Sequence, residues 1–145
     1  MDLESYFKAE ANRLAKANLT IDKTVTINDQ TEEKKVKIAN WEQEFSSFID
    51  ADINKASWRG AFKLTKNGNV ETYISDSKRI PVKKVIVNYQ NELIKSVKVF
   101  IVNTNDLYVS KDSLTYYPDS LYEIKKTQQI KLMDGKQYHV TGKFK

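Results

Sequence analysis

Residues Val82 to Val102 read VKKVIVNYQNELIKSVKVFIV, two runs of β-branched and aromatic residues joined by Gln90-Asn91-Glu92. Such residues fit a pleated, partly buried surface, and Asn-Glu between them suits a two-residue turn, so the stretch is read as a β-hairpin with Gln90 opposite Leu93. In an unbroken ladder Val85, Val87, Tyr89, Ile94 and Phe100 share one face, and Val82, Ile86, Leu93, Val97, Val99 and Ile101 share the other. A hairpin with one wet face carries apolar residues on one parity only. Both faces are therefore expected to be covered, one by helices and the other by curvature or a second layer.

Working outward, Leu3, Tyr6, Phe7, Ala11 and Leu14 recur at spacings of three and four, which predicts a helix from Leu3 to about Asn18 with Asp2 as its N-cap. Thr20 to Ile38 alternates and turns at Asn28-Asp29, a hairpin whose Glu32-Glu33-Lys34-Lys35 cluster suits a solvated sheet edge. Asn40 caps a second helix, with Trp41, Phe45, Phe48, Ile49 and Ile53 as its buried stripe.

From Trp58 the chain reads as strands. A three-residue loop with Gly68 left-handed would set Leu64 against Val70, and a three-residue loop at Met133-Asp134-Gly135 would set Ile130 against Tyr138. The expected fold is α+β: two N-terminal amphipathic helices, with a small hairpin between them, packed on a curved antiparallel meander sheet or half-barrel. A closed lipocalin-like barrel is the alternative.

A chain of 145 residues with only 4 Gly and 2 Pro is read as a single domain over 1–145. It contains no cysteine, which excludes thiolate metal sites and a cysteine nucleophile and is compatible with cytosol and periplasm alike. The net charge is +5. In the unbroken register, however, Lys83 and Lys98 fall on one face and Lys84 and Lys95 on the other, so no continuous basic stripe forms and nucleic acid is not an expected partner.

No motif carries chemistry. Asp50-Ala51-Asp52-Ile53-Asn54 opens like a calcium loop, but Lys55 and Ala61 stand where the turn glycine and the closing glutamate belong. His139 is the lone histidine, and no phosphate-cradling glycine loop is present, so no metal or cofactor is expected. Asp106, Asp112, Asp119 and Glu123 are the acids from which a glycosidase-type pair would be drawn. The densest aromatic feature is YYPDSLY, and Tyr108, Tyr116, Tyr117 and Tyr122 are the candidate ligand- or partner-binding surface, since tyrosine couples a rigid apolar body to a polar tip.

With NWEQEFSSFIDADINKASW, the Asn67-Gly68 hairpin and YYPDSLYEIKKTQQIKL in view, the whole chain resembles a group of small envelope proteins and lipoproteins of Bacteroidetes. The resemblance implies export, with a signal peptide and a lipidated cysteine upstream of residue 2 and location in the periplasm or at the outer membrane. The functional expectation is a non-enzymatic envelope protein. It would bind a small molecule, glycan or envelope protein through a helix/sheet groove or the tyrosine corner, and meet membrane only through a lipid anchor. The alternative is a carboxylate-dependent hydrolase, for example on glycans.

Overall fold

The computed structural model describes residues 1–144. Its elements run α1 (Leu3–Ala17), β1 (Ile21–Ile27), β2 (Gln30–Val36), α2 (Trp41–Glu44), α3 (Ser46–Asp50), then β3 (Lys63–Asn67), β4 (Val70–Ile74), β5 (Val82–Gln90), β6 (Leu93–Thr104), β7 (Tyr108–Tyr117), β8 (Leu121–Ile130) and β9 (Lys136–Phe144). The nine strands form one antiparallel sheet in the order β2-β1-β9-β8-β7-β6-β5-β4-β3. This is the α+β meander expected. The sheet is open, with β2 and β3 as its edges, so the barrel alternative is set aside. The N-terminal hairpin joins the meander through β1, which pairs with β9 from Ile21↔Phe144 to Ile27↔Tyr138. β2 then forms the charged edge, exposed from Gln30 to Lys35.

The central hairpin turns at Asn91 and Glu92, both at positive φ (52° and 65°), as a two-residue type I′ turn requires, and Gln90 faces Leu93. The ladder is not unbroken. Asn88 pairs with Ser96 while Tyr89 pairs with Ile94, leaving Lys95 as an extra residue in β6; Val82 pairs with Ile101 while Lys84 pairs with Phe100, leaving Lys83 extra in β5. Each bulge shifts the parity of the residues beyond it by one. Val82, Val85, Val87, Val97 and Val99 consequently share the inward face and are all buried. Phe100, 38% exposed, faces outward with the half-buried Ile86. The expectation that both faces are covered is thus corrected: the two-sided apolar pattern came from reading through two bulges, and only the inward face carries the helical layer.

That layer begins with α1, whose Asp2 carboxylate accepts from the Ser5 N–H (2.9 Å) and whose Asn18, at φ 52°, closes the last turn by donating its N–H to Leu14 O. Leu3, Phe7, Ala11 and Leu14 are buried beneath it. The second helix is two short ones, because the backbone leaves helical geometry at Phe45 (φ −92°, ψ 11°). Across that break Trp41 stacks on Phe144 of β9 (centroids 5.7 Å) and Phe48 stacks on Phe7 of α1 (4.4 Å). Ile53 lies beyond α3, yet is buried at the end of the same stripe. Asp52, in the stretch that resembled a calcium loop, is buried and accepts the Leu3 N–H (3.0 Å), satisfying a donor that the first turn of α1 leaves without an intrahelical partner.

Two further registers differ from the reading above. β3 and β4 meet at Asn67↔Val70 with Gly68-Asn69 as the turn, so Leu64 faces Tyr73 and not Val70. Gly68 holds φ 61° at the first turn position, where a glycine costs least. β8 and β9 pair with Ile124 opposite Val140, so the connection after Gln128 is longer than three residues, and its left-handed residue is Leu132 (φ 64°). Ile130 faces Tyr108 of β7. Since the shift is by an even number of residues, Ile124, Tyr138 and Val140 still share a face.

Gly142 lies opposite Tyr122, whose ring covers it; a β-carbon there would overlap the phenol. In an open strand position a Gly→Ala change adds stability by restricting the unfolded chain. Here Gly142→Ala is expected to destabilise by roughly 1–3 kcal/mol, the usual cost of overpacking, read as a lowered midpoint in urea unfolding.

Candidate functional site

The four tyrosines singled out from the sequence do not converge. Tyr116 and Tyr122 face each other across β7 and β8 on the inward side and are fully buried. Tyr117 points to the opposite face, and Tyr108 begins β7, eight residues or roughly 27 Å along the strand from Tyr116. As a common binding surface the group is corrected: Tyr116 and Tyr122 belong to the core. Tyr116 meets Phe7 and Phe45 edge-on at 5.3 Å each, and Tyr122 meets Phe45 edge-on at 5.7 Å.

A buried phenol still needs a partner for its O–H. Tyr116 donates to Glu10 Oε1 of α1 (2.8 Å), and Tyr122 donates to Glu44 Oε2 of α2. Each carboxylate is balanced by a cation. Arg13 donates to both Glu10 oxygens and reaches Asp119 at the β7–β8 corner (2.9 Å), while Lys23 of β1 pairs with Glu44 (2.8 Å). The corner is a type II turn, with Pro118 second, Asp119 third at φ 61°, and Ser120 N–H donating to Tyr117 O (3.0 Å). Two tyrosine–carboxylate–cation chains therefore tie the helices to the sheet. Sequence reading found the tyrosines but not these roles, because Glu10 and Glu44 are distant in the chain from the phenols they serve.

The acids weighed as a hydrolytic pair are dispersed. Asp112 faces inward and Glu123 outward, while Asp106 and Asp119 occupy loops at opposite ends of β7. Glu123 is hydrogen-bonded to His139 Nε2 (3.0 Å) on the outward face. None of the four faces another across a cleft.

Beside the Tyr122–Glu44–Lys23 chain, a groove of about 570 Å³ opens between α2–α3 and the inward face of β1, β8 and β9. Such a volume is within the range of small-molecule sites. Its floor is Ile124, Val140 and Tyr138, the last 40% exposed, and Asn40, Gln43, Ser46 and Ser47 supply polar groups along the helical wall. Lys23, Lys37 and Lys126 line it against the single acid Glu44. Among the described residues Lys37 and Lys126 have no carboxylate within 4 Å. The groove is therefore cationic with an apolar floor. A smaller hollow of about 350 Å³ lies on the same inward face toward the β3–β4 edge, by Trp58, Phe62 and Tyr73, with the Lys55 ammonium 4.3 Å from the Trp58 ring centre. Tyr73 there is pushed up to about 12 by burial and by the charge of Glu71, to which its O–H donates (3.2 Å).

Burial, and then the adjacent carboxylate, raise Tyr116 and Tyr122 far above the ordinary phenol value of 10.0. For an acid kept neutral by the folded chain, the associated stability is complete below that value and is lost as pH climbs above it. Phenolate absorbance during alkaline titration is expected to show at least these two of the eight tyrosines staying protonated until the chain unfolds. Full ionisation with the fold intact, by circular dichroism, would contradict the buried hydrogen bonds.

Comparison of the chain with protein-family models, with curated proteins and with solved structures finds no match in any of the three.

Proposed function

We propose that this is a non-enzymatic, exported envelope protein that binds a small anionic ligand with an apolar or aromatic body in the groove between α2–α3 and the sheet. The observation that carries the reading is the pair Lys37 and Lys126, without a carboxylate partner among the described residues and beside the exposed ring of Tyr138. Ammonium groups without carboxylate partners at the mouth of an apolar-floored groove offer charge-assisted hydrogen bonds to a carboxylate, sulfonate or phosphate. Tyr138 offers a face for the ligand's body. The polar helical wall, from Asn40 to Ser47, then fixes orientation. Export is supported by the resemblance of the DINK-x-x-W and PDSLY segments to envelope proteins.

The test uses the anionic fluorophore 8-anilinonaphthalene-1-sulfonate as probe. Saturable binding is expected, weakened roughly tenfold by Lys37→Glu with Lys126→Glu, about the effect of losing two partly exposed charge contacts. Lys34→Glu with Lys35→Glu makes the same net charge change on the β2 edge and is expected to leave binding within about twofold. Equal effects of the two pairs would sink the groove as the site. Mass spectrometry of what co-purifies with the chain from its own cells would then identify the natural ligand.

A further inference from the structure

The bulges at Lys83 and Lys95 have a second effect, on charge. With Ile86 opposite Lys98 and Lys84 opposite Phe100, Lys84 and Lys98 lie on the same outward face, not on opposite faces as the unbroken register had them. Lys63 on β3 joins them through Ile74 and Lys84, and Lys111 on β7 through Val102. Among the described residues no Asp or Glu occupies an outward position from β3 to β7. The acids of those strands, Glu71 and Asp112, face inward, where Glu71 pairs with Lys66 (3.6 Å). Among the described residues, none of the four outward lysines has a carboxylate within 4 Å. The result is an acid-free face four strand spacings wide, about 19 Å.

Between the ammonium groups stand apolar side chains. Ile74 is 45% exposed and Phe100 38%, with Ile86 half-buried between them. Lysines interspersed with apolar side chains suit an anionic lipid headgroup layer, where ammonium groups meet phosphates and apolar tips reach the acyl boundary. A single-stranded nucleic acid is less well served. It asks for several stacking rings and gains from arginine, whereas the outward positions of β3–β7 carry no arginine and only two rings, Phe100 and Tyr117, with Thr72, Ser113 and Thr115 among the central positions. Nor can the face pair with itself in a second copy, since that would set lysine against lysine.

We propose that the outward face of β3–β7 is a membrane-docking surface for anionic phospholipid, centred on Lys84, Lys98 and Phe100 and separate from the groove. Lys63 and Lys111 extend it to either side. Lys84 and Lys98, diagonal neighbours on β5 and β6, fall within about one Debye length of each other at physiological salt, so their attraction to a charged surface acts together.

The test is cosedimentation of the chain with vesicles of phosphatidylcholine alone and of phosphatidylcholine with phosphatidylglycerol. Binding is expected only to the second, falling as salt is raised. Lys84→Gln with Lys98→Gln is expected to lower the partition about fivefold for each lysine neutralised. Phe100→Ser is expected to lower it further at unchanged charge, while Lys34→Gln with Lys35→Gln and the groove variants leave it within twofold. Thermal unfolding checks that each variant is folded. Equal binding to both vesicle compositions, or equal losses from the two lysine pairs, would overturn the proposal. So would the absence of vesicle binding, and in that case tight binding of a single-stranded oligonucleotide would assign the face to nucleic acid.

Discussion

A strand side chain has only two directions available, and this molecule depends on every central strand sending its large apolar residues in the same one. Val85, Val87, Val97, Val99, Leu114, Tyr116 and Tyr122 form a continuous inward floor across β5 to β8. The helical side chains Phe7, Phe45 and Phe48 have nothing else to rest on. The floor is continuous only because β5 and β6 each carry one surplus residue. Without those bulges Val97 and Val99 would face water while Lys98 and Phe100 would sit under the helices, a lysine placed where burial without a partner is most costly. The bulges are thus the means by which an irregular sequence makes a one-sided sheet.

The same one-sidedness governs the polar groups of the core. Tyr116 and Tyr122 extend the aromatic cluster but bring hydroxyls into it, and each is satisfied by a glutamate from the helical layer, Glu10 or Glu44. Those carboxylates pair with Arg13 and Lys23 at the margin of the core. Helix placement is therefore specified twice, by ring packing and by two hydrogen bonds whose loss would leave a buried donor unmade. The groove follows from this placement, because α2 is anchored over Tyr122 through Glu44 and leaves β1, β8 and β9 uncovered beyond Val140.

Charge is distributed by the same geometry. Inward acids meet inward cations, as Glu71 meets Lys66 and Glu44 meets Lys23, while the outward face from β3 to β7 retains only lysines. The overall excess of +5 therefore reflects a local asymmetry, not an even coat.

Local pattern by itself determined much of this. The caps at Asp2 and Asn40, the stripe of α1, the Asn91-Glu92 turn, the charged edge of β2 and the α+β meander all rest on interactions within a few residues, which a sequence displays directly. What only the tertiary structure decided is parity and partnership. Bulges at Lys83 and Lys95 leave no compositional mark, since a lysine is equally at home in a regular exposed position, yet they reassign every residue beyond them to the other face. The tyrosines were visible as a cluster but not as core, because their acceptors Glu10 and Glu44 come from helices 106 and 78 residues away. The groove and the basic face were hidden for the same reason: each is assembled from strands that meet only once long-range pairing has chosen their register.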